Sequence, residues 1–270
     1  MSSDFSRRKV EISLEDVSMV FGKKGRQETV LQDITFDVEQ NEFVSVLGPS
    51  GCGKSTLLRL MADLLQPSKG HITIQKDHPR EVRLRRKFGI VFQTPTLFEW
   101  RSVRENIELP LEVMGHPRHA YRELVDHLMD TVGLTKFKDY YPWQLSGGMQ
   151  QRVAIARALS LDPPILFMDE PFSALDEFTK ERLQLDLLDM KRKTNKTIVF
   201  VTHSISEAVF LSNRIIVLTA NPGRVHAIYP VPLGEDRNLQ TRESLPFQKL
   251  TAAIHHDYKE ESDPSEDQLG

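Results

Sequence analysis

Phe43-Val44-Ser45-Val46-Leu47-Gly48-Pro49-Ser50-Gly51-Cys52-Gly53-Lys54-Ser55-Thr56 is the stretch that decides the fold. Phe43 to Leu47 is a β-rich apolar run, and a helix-like segment extends from Lys54 to Leu65 until Pro67 and Gly70 stop it. Between the two, Gly48 to Ser55 fits G-x-x-x-x-G-K-[ST] in the strand, loop, helix setting that a phosphate-binding loop requires. Gly48, Gly51 and Gly53 let the backbone curl so that successive N–H groups and the helix N-terminus face phosphate oxygens, with Pro49, Ser50 and Cys52 filling the loop. Lys54 would neutralise the β- and γ-phosphates, Ser55 would offer a hydroxyl to Mg²⁺, and Thr56 would add a phosphate contact.

Upstream, apolar residues alternate through Val10, Ile12, Leu14 and Val17, and again through Leu31, Ile34, Phe36 and Val38. This predicts two antiparallel strands joined by a charged loop from Gly22 to Thr29. Downstream, residues from about Thr94 to Leu161 are helix-rich, with expected interruptions at Pro110, Pro117 and Pro142, and read as a helical lobe set into an α/β core. After Pro163-Pro164, the runs Ile165 to Met168 and Thr197 to Val201 alternate with helix-like Glu177 to Lys193 and Ser204 to Leu211, which predicts a parallel sheet flanked by helices. The expected domain spans 10–230. Residues 231–270, with Pro230, Pro232, Pro246, Pro264 and an acidic cluster from Glu260 to Asp267, read as part linker and part disordered tail.

Composition narrows the function. With 270 residues, 39% hydrophobic, the chain can bury a full core. A formal net charge of -3 supplies no global basic field for nucleic acid. A single cysteine excludes an internal disulfide framework, and the opening residues lack the apolar stretch of a secretory signal, so the chain reads as cytosolic. Runs such as Ile215 to Leu218 are strand-sized, too short to cross a bilayer.

A second chemical element is Ile165-Leu166-Phe167-Met168-Asp169-Glu170, a buried-strand pattern that ends in two carboxylates. In a parallel sheet such ends face the ligand crevice. Asp169 would hold Mg²⁺ through water, and Glu170 would polarise a water attacking the γ-phosphate. Then Leu145-Ser146-Gly147-Gly148-Met149-Gln150-Gln151-Arg152 resembles the signature motif of ATP-binding cassette proteins, a hydroxyl and bare N–H groups ahead of a helix. The resemblance implies a P-loop ATPase fold with an antiparallel β subdomain and an inserted α-helical subdomain. It also implies an ATP-sandwich dimer, in which Ser146, Gly147, Gly148 and Met149 of one copy close on nucleotide held by the other. In family order, Gln93 resembles the Q-loop glutamine, a ligand of Mg²⁺ as well as a catalytic group. Ser173-Ala174-Leu175-Asp176 resembles the D-loop, His203 the switch histidine, and Phe21 the aromatic that stacks on adenine. Taken singly, each of these is as readily a core or solvated residue; their order along one chain is what unites them.

The finer pattern Leu97-Phe98-Glu99-Trp100-Arg101-Ser102-Val103, with Leu218 to Arg224, resembles the nitrate, sulfonate and taurine importer ATPases, and relatives that take up thiamine precursors or riboflavin look similar. Glu99, where a proline is usual, and Asn221, where an arginine is usual, depart from it. The expected partners are a second copy, integral membrane permease subunits and, indirectly, a periplasmic or extracellular solute-binding protein. The expected location is the cytoplasmic face of the membrane. Thr94 to Val103 would receive a permease helix, with Trp100 either in that groove or in the core of the lobe. A soluble cassette ATPase acting on nucleic acid or the ribosome is the alternative.

Overall fold

The computed structural model describes residues 9–23, 26–173 and 175–262. Two sheets organise it. The first is antiparallel, in the order β2 (Arg26–Glu39), β1 (Val10–Lys23), β4 (Lys69–Ile74). The expected charged loop from Gly22 to Thr29 is mostly strand instead, because pairing continues through Phe21↔Glu28 and Gly22↔Gln27. The breaks in apolar alternation have a backbone cause. Asp16 and Asp33 take φ values of 51° and 50°, each bulging its strand by a residue, after which Val17 and Ile34 pair and face inward.

The second sheet runs β5 (Phe88–Val91), β6 (Ile165–Asp169), β7 (Thr197–Thr202), β3 (Phe43–Leu47), β8 (Arg214–Leu218), β9 (Val225–Pro230), parallel except for β9. Its central strands are apolar throughout because both faces are covered. Val44, Val46, Phe167 and Val199 pack with α1 (Lys54–Met61) and the first sheet, while Phe43, Leu47, Met168 and Phe200 pack on the opposite side with α6 (Glu177–Lys193) and α7 (Ile205–Leu211). Helix α1 ends at Met61, short of Leu65, since Asp63 turns left-handed at φ 54° and the N–H groups of Leu64 and Leu65 fold back onto the Arg59 carbonyl. A short helix α2 (Pro79–Leu84) links β4 to β5.

A third core belongs to α3 (Val103–Val113), α4 (Arg118–Thr131) and α5 (Gly147–Leu159), built on Ile107, Leu111, Val125, Met129, Val153 and Ala156. Pro110 does not interrupt α3 as expected. Burial of Val103, Ile107 and Leu111 on one face holds the helix despite the hydrogen bond that proline cannot make. No helix among the described residues is long and apolar enough to cross a membrane.

The expectation of a linker and disordered tail from 231 onward is corrected over its first part. Val231, Leu233, Phe247 and Ile254 are buried against the α7 side of the sheet, and α8 (Leu245–Ser262) is helical. Proline and charge counts missed this because a few large apolar residues at helical spacing suffice to dock a helix. Asp263, Glu266 and Asp267 of the acidic cluster lie outside the described residues.

Candidate functional site

Strand β3 ends at Leu47 and α1 begins at Lys54, so the loop Gly48 to Gly53 forms the joint between them. It is held tightly. Gly53 has φ 94°, and a Cβ there would lie 2.7 Å from the Leu31 side chain; a Cβ on Gly48 would meet Cys52 Sγ at 2.6 Å. Gly53 caps α1 without a side-chain acceptor, so among the described residues no capping side chain competes for the N–H groups of the first turn. Lys54, only 5% exposed, donates to the carbonyls of Gly48 (2.8 Å) and Pro49 (2.9 Å), and its ammonium stands 4.0 Å from Glu170 Oε1. Ser50 is exposed at the loop tip, and Thr56 follows Ser55 on α1.

The strand order β5, β6, β7, β3 places Gln93, the Asp169-Glu170 pair, His203 and the phosphate loop side by side at one edge. Side chains then connect them. Ser55 Oγ donates to Asp169 Oδ1 at 2.9 Å, Gln93 Nε2 donates to Glu170 Oε2 at 3.2 Å, and His203 Nδ1 lies 3.2 Å from the same oxygen. Glu170 takes the left-handed conformation at φ 43°, pinned by its N–H to the Val201 carbonyl, and such backbone strain concentrates at working sites. Asp169 is 3% exposed, and that burial pushes its carboxyl up; the Ser55 hydroxyl opposes the rise and the Glu170 charge adds to it. A buried carboxylate bonded to a hydroxyl offers oxygen donors that suit a hard divalent cation such as Mg²⁺. Thr202 steadies the His203 turn by donating to Glu207 (2.7 Å) and accepting from the Ser204 N–H.

Residues 31–173, from the second strand through this carboxylate pair, match the model of the family described as ABC transporter. The chain belongs to the ABC transporter family. It is an ATPase of that family, with the α/β cassette fold. It is 45% identical over 251 residues to an uncharacterized ABC transporter ATP-binding protein of Methanocaldococcus jannaschii, covering 93% of each chain. Identity is 44% to the taurine import ATP-binding protein TauB of Jannaschia sp., over 83% of this chain and 84% of that one. It is 42% to the aliphatic sulfonates import ATP-binding protein SsuB of Bacillus thuringiensis, over 90% and 94%. Among solved structures, the dimeric post-hydrolysis state of the ATP-binding cassette MJ0796 bound to ADP and Pi superposes with a TM-score of 0.75 at 33% identity, covering 83% of this chain and 100% of that one.

The cassette's signature segment sits apart from this network. Ser146 caps α5 by accepting from the Met149 N–H at 3.3 Å. Ser146 and Gly147 are exposed, Gly148 and Met149 half-buried, and no hydrogen bond or ion pair among the described residues joins them to Lys54, Asp169 or Glu170. Asp176 caps α6 by accepting from Thr179 N–H at 3.0 Å, a bond that holds its carboxyl below the usual range; Ala174 lies outside the described residues. Phe21 is 40% exposed on the hairpin, opposite Glu28.

Burial, at 1% exposure, pushes the Cys52 thiol up and outweighs the opposing effect of Lys54. Trp100 is 71% exposed, edge-on to Phe98 at 5.0 Å, and so is not core of the lobe.

Two neighbours of the phosphate loop have no local signal in the sequence. Gly223 exchanges backbone bonds with β2, Gln32 N–H to Gly223 O and Gly223 N–H to Val30 O, both 2.9 Å. A Cβ on it would lie 2.1 Å from the Cys52 carbonyl. Only a glycine fits there, and Pro222-Gly223 had drawn attention only as a marker of relatives. The second neighbour is α8, whose Asp257 and Tyr258 line a cavity of about 210 Å³ with Pro49, Thr219 and His226, so the C-terminal helix borders the loop.

Proposed function

We propose that this cassette is the energising subunit of an importer, coupling ATP hydrolysis to the uptake of a small solute such as nitrate, a sulfonate or taurine. The observation that carries the chemistry is the single Glu170 carboxylate, reached by Gln93, His203 and Lys54 where four parallel strands end. Gly48 to Thr56 binds the phosphates through loop N–H groups and Lys54. Phe21 stacks on the adenine. Ser55, Gln93 and Asp169 would hold Mg²⁺, which would supply positive charge against that of the phosphates.

Glu170 polarises a water toward the γ-phosphorus, and Gln93 and His203 keep that carboxylate and the phosphate aligned. The water oxygen bonds to phosphorus as the bond to the ADP oxygen breaks, releasing ADP and phosphate. Because positioning and charge do most of the work in such transfers, misalignment costs rate more than affinity. Ser146 to Met149 of a second copy completes each site, a reading in keeping with the dimeric state of the superposed MJ0796 structure. Asp176 lies at the approach between copies.

The names of the taurine and sulfonate relatives support an importer role, in which permease subunits sit in the membrane and a periplasmic or extracellular solute-binding protein delivers the solute. The chain then works on the cytoplasmic face, and the exposed Phe98-Trp100 pair belongs to the surface that meets a permease helix. The test is a detergent pull-down of the tagged chain from native membranes, with mass spectrometry and an ATPase assay on the eluate. A multi-span permease in an active eluate supports the importer role; ribosomal or nucleic-acid-bound material alone would overturn it and leave the ATPase chemistry standing.

A further inference from the structure

Helix α5 starts at the signature and runs directly beneath the segment that carries Gln93. A Cβ on Gly89 of β5 would lie 2.6 Å from the Ala158 carbonyl, so the helix touches this strand backbone to backbone. At the other end of the contact, Gln151 Nε2 donates to the carbonyl of Phe92, the residue before Gln93, at 2.9 Å. Arg157 holds the far side of the segment, donating to the carbonyls of Pro95 and Thr96, both at 2.9 Å. Gln93 is therefore bracketed by two side chains of the signature helix while its own amide reaches Glu170.

Gln151 is 1% exposed, and its Oε1 is buried with no hydrogen-bond partner. A buried acceptor left unpaired is a standing cost that an apolar side chain of similar size would not carry. Stability alone would not choose an amide here. The remaining use of the group is its donor, spent on the Phe92 carbonyl.

We infer that Gln151 is a positioning residue that ties the signature helix to Gln93, so that the placement of Ser146 to Met149 and the alignment of Glu170 are set together. This rests on the ATPase reading of the site above. It predicts that loss of the Gln151 donor leaves nucleotide affinity intact and slows turnover through Gln93.

The experiment measures kcat, KM for ATP and thermal midpoint for the purified full-length chain, for Gln151→Met, for Gln93→Ala and for the double variant. Methionine keeps the volume and removes the donor; Gln151→Leu, which also lacks a donor and adds no buried charge, is the second variant should methionine fail to fold. Expected are a roughly tenfold fall in kcat with KM within about twofold, a thermal midpoint no lower than the parent's by more than a few degrees, and a double variant no slower than Gln93→Ala alone. A merely structural Gln151 would lower the midpoint and multiply with Gln93→Ala. That result, or wild-type kcat in the Gln151 variants, would overturn the inference. A wild-type chain that hydrolyses no ATP would instead bring down the reading of the site together with this inference, so the two failures are told apart by the parent protein.

Discussion

The phosphate-loop end of the site and the signature end differ in how far the chain satisfies them by itself. Lys54 is 5% exposed and bonded to two loop carbonyls, Ser55 is bonded to a buried Asp169, and Glu170 has Gln93 and His203 at 3.2 Å. Ser146 and Gly147 are exposed, and the Ser146 side chain caps its own helix. A preorganised half holds geometry at the expense of burying charge; an open half retains N–H and hydroxyl donors for something outside the chain. The difference teaches that binding and completion are separable, and variants at the two ends should separate them.

The largest expected effect is at Glu170. Glu170→Gln should keep ATP affinity and lose at least about 100-fold in turnover, while size-exclusion chromatography with ATP shows a stable dimer. Turnover at the parental rate would remove the water-polarising role and blur the contrast between the halves.

The division between copies is sharpened next by mixing. Lys54→Ala and Ser146→Glu should each be inactive alone. In a mixed dimer, one site joins an intact phosphate loop to an intact signature, so activity should reappear on combining the two proteins. No recovery would mean that each chain completes its own site.

A smaller effect follows from the buried carboxylate. Asp169 has a raised folded pKa, so its ionised form disfavours the folded chain. That penalty is absent below the unfolded pKa and fully present above the folded one. Asp169→Asn keeps an acceptor for Ser55 and removes the penalty. At pH 7.5 without nucleotide it should raise the thermal midpoint by roughly 2–4 °C, and turnover should fall. An unchanged midpoint would contradict the cost assigned to the preorganised half. At the signature end, Ser146→Ala should cost the isolated chain only its helix cap, about 1 kcal/mol in a denaturant titration. A much larger loss would show that this end is also built into the chain's own stability.

Much of this was legible in residue order. Gly48 to Thr56 between an apolar run and a helix, Asp169-Glu170 at a strand end, and Ser146-Gly147-Gly148 before a helix are local patterns whose chemistry depends on neighbours in sequence. Even the irregular spacing Leu14 to Val17 and Leu31 to Ile34 was visible, although its cause, the bulges at Asp16 and Asp33, was not. The tail was misread because Phe247 and Ile254 are sparse among charges, and only the groove beside α7 makes them core. The rise of the Cys52 thiol was not legible because charge is visible in a sequence and desolvation is not.

By itself, then, the sequence determined the elements, the phosphate loop and the identities of the groups that act, since strand, loop and helix propensities and short motifs are local. Tertiary structure alone decided that Gln93, His203 and Lys54 converge on one carboxylate, that Gly223 backs the loop and α8 borders it, and that Gln151 reaches Phe92. Those contacts join residues far apart in the chain, and which of them meet depends on strand order and helix packing, which no single segment specifies.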